Sequence, residues 1–353
     1  MREIQVDLAK IQGNYRQLKS LVAPSEVMAI VKANAYGHGM HEVAQALEDI
    51  SVDALGVADL EEALALRAAG INSRIMCWIL STEDDFQMAA EQDIELGISN
   101  FAILEAALAA GVKHIHIKVD TGLGRAGFAK AQWPEVFEQL SGKTIGLFSH
   151  LSNTSEQEDR NQEKLFLEAE QVALAAGVQI SQRHLAATAG ALSYPSMRFE
   201  MVRCGIGIYG LNPWDDREYG EYKLQPAMRA IAQVVNLKRV AAGQGVSYGY
   251  RYRTTKETTL ALVPFGYSEG MPRIAVGAQV LIAGKVFEIS GRVAMDQFVV
   301  DIGDHDVPLG SEVVIFGDPA KSEPSAEALG ESAGTINYEI VTRIGGRAKR
   351  VYL

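Results

Sequence analysis

Lys32 closes the apolar run Val27–Ala33. An amine stripped of water at such a place is nucleophilic and can condense with a carbonyl to a Schiff base. By itself the residue reads just as well as a strand-end lysine whose stem lies along the strand while the ammonium reaches water. Other runs end on groups with chemistry of their own: Lys118 and Asp120, His150, Thr188 and Arg203. Each also has an ordinary explanation, His150 as a hydrogen-bonded interior histidine and Arg203 as a salt-bridged strand end. Tyr36, before Gly37, and Tyr248, within Gly245–Tyr252, read singly as turn and loop aromatics.

Three further patterns carry less. Gly122–Gly127 and Gly205–Gly210 both match GxGxxG after strand-like runs, a mark of dinucleotide binding. Neither lies in the first βα unit, and neither is followed about 20 residues later by an acidic strand end. His114 and His116 stand two apart on a strand, facing one side. No Cys, Asp or Glu at ligand spacing completes them, so no metal is expected. Gly249–Arg253 mixes aromatics with arginines as nucleic-acid surfaces do, but it is short and lies in an acidic chain.

The elements that must position the strand-end groups come from the apolar pattern. Short apolar runs cover Val27–Ala33, Ala54–Ala58, Arg74–Leu80, Ile94–Ser99, His114–Asp120, Thr144–Leu151, His184–Ala189 and Met201–Tyr209. Helix-like segments such as Leu60–Ala69, Phe101–Ala110 and Glu158–Ala176 lie between them and stop at Gly70, Gly111 and Gly177. Continuous apolar runs suit parallel strands buried on both faces, and their alternation with helices predicts a (β/α)8 TIM-type barrel over residues 1–222. A barrel presents its site at the C-terminal ends of its strands, where Lys32, Lys118, His150, Thr188 and Arg203 fall. Beyond residue 222 the helical pattern fades. Ala230–Val240, Thr258–Pro264, Ala278–Ile289 and Val313–Phe316 read as strands with turns such as Ala283-Gly284, and Ser325–Ala333 and Tyr338–Ile344 as helices. This predicts a smaller, mainly antiparallel β domain over 223–353, which the Glu3–Val6 strand within residues 1–8 is free to join.

Bulk properties bound the function. With 353 residues, 48% of them hydrophobic, 22% charged and a mean hydropathy of +0.01, the chain can fill two cores and is not disordered. A net charge of −11 argues against nucleic acid or an anionic membrane as partner. Cys77 and Cys204 do not make a disulfide framework, no apolar run reaches the ~18 residues of a membrane span, and residues 1–7 lack a signal-peptide pattern. The expectation is a cytoplasmic protein.

The segments around the chemical residues form an ordered series. Ala29-Ile30-Val31-Lys32-Ala33-Asn34-Ala35-Tyr36-Gly37-His38-Gly39 closely resembles the cofactor-lysine motif of alanine racemases, and Lys118–Gly127 resembles that family's arginine loop. Val202-Arg203-Cys204-Gly205-Ile206-Gly207-Ile208-Tyr209-Gly210 resembles its eighth-strand motif. Val246-Ser247-Tyr248-Gly249, Gly266-Tyr267-Ser268-Glu269-Gly270 and Met295-Asp296-Gln297 follow in the family's order, so the resemblance spans essentially the whole chain.

The resemblance implies racemisation of L- and D-alanine on pyridoxal 5'-phosphate by two bases, supplying D-alanine for bacterial peptidoglycan. Lys32 would hold the cofactor and then act as the base on one face of the substrate Cα, with Tyr248 the base on the other. Arg203 would face the pyridine nitrogen, where a cation disfavours protonation and limits transamination. His150 would link Arg203 to Tyr248 and help make the phenol basic, since an ordinary tyrosine near pKa ~10 is a poor base at neutral pH. Arg125 would bond the cofactor's phenolic oxygen and, with the Met295 amide, receive the substrate carboxylate. Tyr36, Thr188, Gly205, Ile206 and Tyr338 would hold the phosphate, while Tyr267 and Tyr338 would line the entrance. Lys118 matches a lysine that carries a carbamate in some of these racemases, where its negative charge positions the arginine. A homodimer with sites completed across the interface is also implied.

Two positions depart from the family. Ala187-Thr188 stands where Asn-Ser is usual, which keeps a hydroxyl for phosphate but loses the asparagine's hydrogen bond, and Ala294 replaces a common cysteine before Met295. Other readings are a pyridoxal-phosphate carrier, a racemase for serine or another amino acid, and a barrel-type decarboxylase. The carriers lack a second domain, and the decarboxylases need a cysteine there, where this chain has none.

Overall fold

The computed structural model describes residues 2–214, 217, 219–275 and 277–353; of the expected first domain, Met1, Asp215, Asp216 and Glu218 lie outside the described residues, as does Val276 of the second. The strands in chain order are β1 (Arg2–Val6), β2 (Glu26–Ile30), β3 (Ala54–Val57), β4 (Ile75–Cys77), β5 (Glu95–Ile98), β6 (Ile115–Lys118), β7 (Thr144–Phe148), β8 (Gln179–His184) and β9 (Met201–Cys204). The last eight form one parallel sheet in the order β8-β7-β6-β5-β4-β3-β2-β9. Its ends meet where Ala187 and Arg203 bridge in parallel and the Arg203 amide donates to the Ala186 carbonyl (3.0 Å), so the sheet closes into a barrel. Strands β3 to β6 and β9 are buried at every residue, which is why they read as unbroken apolar runs. Intervening helices start at side-chain caps: Asp59 accepts from the Glu62 amide, Asn100 from Ile103 and Ser155 from Glu158.

Strand β8 corrects the sequence reading, which placed the seventh strand at His184–Ala189. The strand is Gln179–His184, and its less exposed polar residues have side-chain partners. Arg183 pairs with Glu170 and Glu200, and Gln182 bonds Glu26 and Arg74. The apolar stretch after it instead leads into the helix Thr188–Ser193.

Contacts divide the chain into a barrel unit, Tyr15–Ala33 with Met40–Ile208, and a β unit, Met1–Asn14 with Asn34–Gly39 and Tyr209–Leu353. The changeover at Tyr209 precedes residue 222, where the sequence pattern changes. In the β unit, β10 (Met228–Gln233), β11 (Asn236–Val240), β12 (Gly245–Val246), β13 (Tyr252–Arg253), β14 (Thr258–Val263), β15 (Gln279–Ile282), β16 (Lys285–Glu288), β17 (Phe298–Gly303), β18 (Glu312–Phe316) and β19 (Lys349–Tyr352) follow. One sheet has the order β16-β15-β18-β10-β1-β19, antiparallel except for β1 with β19; a second is β11-β14-β17, and β12 pairs with β13. Ala230–Val240, read as one strand, is two. The Val234 amide donates to Ser311 beside one sheet and the next amide, Val235, to Leu262 in the other, so the chain changes sheets there. No helix among the described residues is long and apolar enough to cross a membrane.

Candidate active site

At the C-terminal ends of the barrel strands, Lys32, Lys118, His150 and Arg203 come together with Arg125, which projects from the loop after β6. Their cations act on one another. The Lys32 amine is held below its ordinary range first by burial and then by Arg125, with Glu62 opposing. Lys118 is pushed down to about 8 by burial, Arg203 and Arg125, with Asp120 opposing. His150 sits well below its usual value because it is buried beside Arg203 and Arg125, so it is neutral. The arginine loop is pinned at its base, where the Phe128 amide donates to the Lys118 carbonyl (2.8 Å) and the Asp120 amide to Phe128 (3.0 Å). Asp120 Oδ1 also accepts from the Gly122 and Gly124 amides (3.0 and 3.1 Å), while Arg125 at the tip is exposed. Gly127, at φ +118°, leaves no room for a Cβ, which would fall 2.9 Å from the Asp120 nitrogen.

Arg203 is buried, and its fork is nearly consumed. Nη1 donates to the His184 carbonyl (2.7 Å) and to His184 Nδ1 (3.0 Å). Nη2 donates to the carbonyls of Ser149 (2.6 Å) and Leu185 (3.0 Å) and to His150 Nδ1 (3.0 Å). Its Nε–H has no protein acceptor among the described residues. Thr188 starts a short helix and its hydroxyl oxygen accepts from the Gly205 amide (3.1 Å), tying two of the expected phosphate residues together. The next amide, Ile206, opens a 3-10 turn, and none of the described residues accepts from it.

The chain just after Lys32, where Ala33 ends a barrel-unit segment and Asn34–Gly39 belongs to the β unit, is unusual. Ala33, Asn34, Ala35 and Tyr36 all have φ between +52° and +54°, a left-handed helical turn built without glycine. At ~1–2 kcal/mol per residue this costs roughly 4–8 kcal/mol and needs support from its surroundings. Within the unit the Gly39 amide donates to the Asn34 carbonyl (2.9 Å), His38 Nδ1 reaches the carbonyls of Ala35 and Tyr36 (both 3.0 Å), and Arg350 donates to Gly37 (2.8 Å). Tyr36 packs against Tyr209 and Tyr338, with ring centres 5.0 and 6.1 Å away.

Tyr267 and Met295 are also brought together in this unit. The Tyr267 amide donates to the Ala294 carbonyl (3.1 Å), and Ser268 donates to the Met295 carbonyl through its amide (3.0 Å) and hydroxyl (2.9 Å). Glu269, fully buried, accepts from the Gly266 amide and from Arg347, fixing the pair of loops. Tyr248 stands on a 3-10 turn between β12 and β13, anchored by the Ser247 hydroxyl on the Arg292 carbonyl (2.6 Å), and is 69% exposed.

Three residues connect to Arg203 in a line, His184, His116 and Glu95; the sequence assigns no role to His184 or Glu95 and offers His116 only as a rejected metal ligand. The usable signal was a carboxylate inside the apolar run Ile94–Ser99. His116 was paired in the reading with His114, but His116 is buried and His114 exposed.

Comparison with known proteins agrees along the whole length. Residues 6–213 match the family described as alanine racemase, N-terminal domain, and residues 227–352 the alanine racemase C-terminal domain. Alanine racemases of Beutenbergia cavernae and Thermobifida fusca are 40% and 41% identical to this chain, each alignment covering 99% of it and 97% of the relative. The crystal structure of alanine racemase from D-cycloserine-producing Streptomyces lavendulae superposes with a TM-score of 0.96 at 40% identity, covering 100% of this chain and 97% of that one.

Proposed function

The chain belongs to the alanine racemase family, and from that premise we propose that it interconverts L- and D-alanine on pyridoxal 5'-phosphate, with Lys32 and Tyr248 as the two bases. It is an isomerase acting on the enantiomers of alanine. When bound, pyridoxal phosphate draws electron density from the substrate Cα and makes its hydrogen acidic. The residues suit that group. Arg203 keeps one N–H, Nε, for an acceptor such as the pyridine nitrogen. The Ile206 amide and the Thr188 hydroxyl hydrogen supply donors for the phosphate, and Tyr36 and Tyr338 complete the set.

The observation that carries the reading is the cationic strand-end cluster around a lysine with a depressed pKa. Burial and Arg125 lower the pKa of the Lys32 amine and so favour the neutral form that covalent attachment and proton transfer at Nζ both require. Burial holds Arg203 at about 10, so it remains a cation at neutral pH and donates a hydrogen bond without surrendering the proton. Arg203 in turn donates to His150 Nδ1, which leaves the His150 proton on Nε2, available to the Tyr248 phenol. Tyr248 Oη serves the second face of Cα, and Arg125 with the Met295 amide receives the carboxylate. The neutral form of the Lys118 amine adds to carbon dioxide, forming the N–C bond and releasing its N–H proton to solvent, to give a carbamate whose charge orients Arg125.

A base as exposed as Tyr248 requires cover, and Tyr250 (59%), Met295 (54%) and Ile336 (42%) are exposed with it. A second copy of the chain supplies that cover in a homodimer with shared sites. Mixing Lys32→Ala with Tyr248→Phe subunits should restore about a quarter of normal activity, since half the dimers hold one intact site. No recovery despite subunit exchange would mean each chain builds its own site. The enzyme works in the cytoplasm, supplying D-alanine for peptidoglycan. Polarimetry of the purified protein with L-alanine, L-serine and L-lysine tests the assignment: rotation of alanine should decay to zero fastest, and an inert response to alanine with cofactor bound would overturn it.

A further inference from the structure

A guanidinium has only donors, a carboxylate only acceptors, and a neutral imidazole one of each. Inside the barrel these groups form a line. Arg203 Nη1 donates to His184 Nδ1 (3.0 Å), His184 Nε2 meets His116 Nδ1 (2.9 Å), and His116 Nε2 meets Glu95 Oε2 (3.1 Å). With a donor-only group at one end and an acceptor-only group at the other, a single arrangement satisfies every link. Both histidines must be neutral with the proton on Nε2. Any other tautomer sets two N–H groups or two lone pairs against each other.

The surroundings fix the line in place. His184 stacks on Phe148, with rings 4.8 Å apart and 5° from parallel. Gly146 faces the His116 ring so closely that a Cβ would lie 1.9 Å from Nδ1. Burial alone would raise the Glu95 carboxyl, but the hydrogen bond from His116 and the hydrogen bonds and charge of Arg74 outweigh it and hold it below its ordinary value. Arg74 grips Glu95 through Nε (2.7 Å) and also bonds Glu26 (3.0 Å) at a cavity of about 510 Å³ lined by Arg74, Glu95, His116 and Gln182. Glu95 begins β5, so this is the end of the barrel opposite Lys32. The groups bonded directly to Arg203 are backbone carbonyls and imidazoles, none of them anionic. Its negative complement is reached through the two rings.

We propose that Glu95, His116 and His184 form a positioning relay that sets the orientation and polarity of Arg203 from the far end of the barrel. The proposal rests on the reading of Arg203 as the residue that faces the cofactor nitrogen. It makes these three positioning residues, since none of them touches the reacting atoms.

The test uses holoenzyme labelled with 15N-histidine. Two-bond 1H–15N correlation should show His116 and His184 each with a protonated Nε2 and a bare Nδ1. Glu95→Gln offers an amide that either donates or accepts, so His116 should become a mixture of tautomers. Racemisation kcat should then fall roughly tenfold, the worth of one charge-assisted hydrogen bond. KM for alanine should move less, and the fraction of turnovers ending in pyruvate should rise. Glu95→Asp, which keeps an acceptor-only end, should return the single tautomer. If Glu95→Gln does not fold, Gly146→Ala displaces the His116 ring without removing an ionisable group and should raise the pyruvate fraction likewise. A protonated Nδ1 on either ring of the unmodified enzyme overturns the relay. If Arg203→Lys changes the pyruvate fraction and Glu95→Gln does not, the relay alone is wrong. If neither changes it, the reading of Arg203 is wrong and the proposal falls with it.

Discussion

Replacing Arg203 by lysine keeps a cation at the end of β9 and alters almost everything else about its contacts. The guanidinium serves five acceptors: the carbonyls of Ser149, His184 and Leu185, and Nδ1 of His150 and of His184. An ammonium has three N–H groups, so at least two buried acceptors lose their donor. At roughly 1–3 kcal/mol each, the variant should lose about 2–6 kcal/mol of stability, a large share of the ~5–15 kcal/mol available to a folded chain. Burial holds the guanidinium at about 10 where 12.5 is ordinary. The same displacement places a lysine amine, ordinarily near ~10.4, at roughly 8. Between those two values the unfolded state binds the proton and the folded state does not, so this group should raise the variant's stability by about 2 kcal/mol as pH rises from ~8 to ~10. The parent should lack this added rise: the contribution of Lys118, lowered to about 8, is common to both proteins, and Arg203 stays mostly charged until pH approaches 10. Racemisation by the variant should fall off above pH ~8 as the cation is lost. Urea unfolding at several pH values and a pH profile of kcat/KM read both effects. A loss below 1 kcal/mol, with a stability profile from pH 7 to 10 no different from the parent's, would refute the view that these hydrogen bonds and this burial govern the site.

Three other outcomes are expected. Borohydride reduction and peptide mapping should find the pyridoxyl group on Lys32, and its appearance on another lysine would remove the assignment. Because the Lys118 amine is lowered to about 8, first by burial and then by Arg203, it has a neutral fraction near pH 8 able to take up carbon dioxide. 13C-bicarbonate should therefore give a carbamate resonance that Lys118→Ala abolishes, and an unchanged spectrum would leave Lys118 a plain amine. Ala187 occupies the N-cap of the helix Thr188–Ser193 with extended backbone and no side-chain cap. Ala187→Asn should stabilise the enzyme by about 1 kcal/mol in urea unfolding, and no gain would show that the cap geometry is not met.

How far the sequence reached differs from residue to residue. The barrel strands were legible where burial on both faces demands apolar runs, as in Ala54–Val57 and Met201–Cys204. Gln179–His184 was not, because ion pairs and side-chain hydrogen bonds satisfy its polar residues and erase the apolar signature. Lys32, Arg125 and Arg203 were legible through the motifs around them. The left-handed turn after Lys32 was hidden, since alanine and tyrosine do not prefer positive φ, and packing with the hydrogen bonds from Gly39, His38 and Arg350 sustains it. Glu95, His116 and His184 lie on three strands, and sequence spacing carries no record of the line they form across the interior.

The two-base assignment is tested most directly by exchange of the α-hydrogen in deuterated water. The enantiomers have equal free energy in water, so loss of either base lowers racemisation equally in both directions and cannot say which face a residue serves. Exchange with retention needs only one face. With Tyr248 on the L face and Lys32 on the D face, Tyr248→Phe should cut deuterium incorporation into L-alanine by roughly 10²- to 10⁴-fold, the usual worth of a general base. The same variant should go on exchanging the α-hydrogen of D-alanine through Lys32. Equal loss of exchange from both enantiomers would contradict the account, leaving Tyr248 a residue of binding or cofactor geometry and the enzyme without its second base.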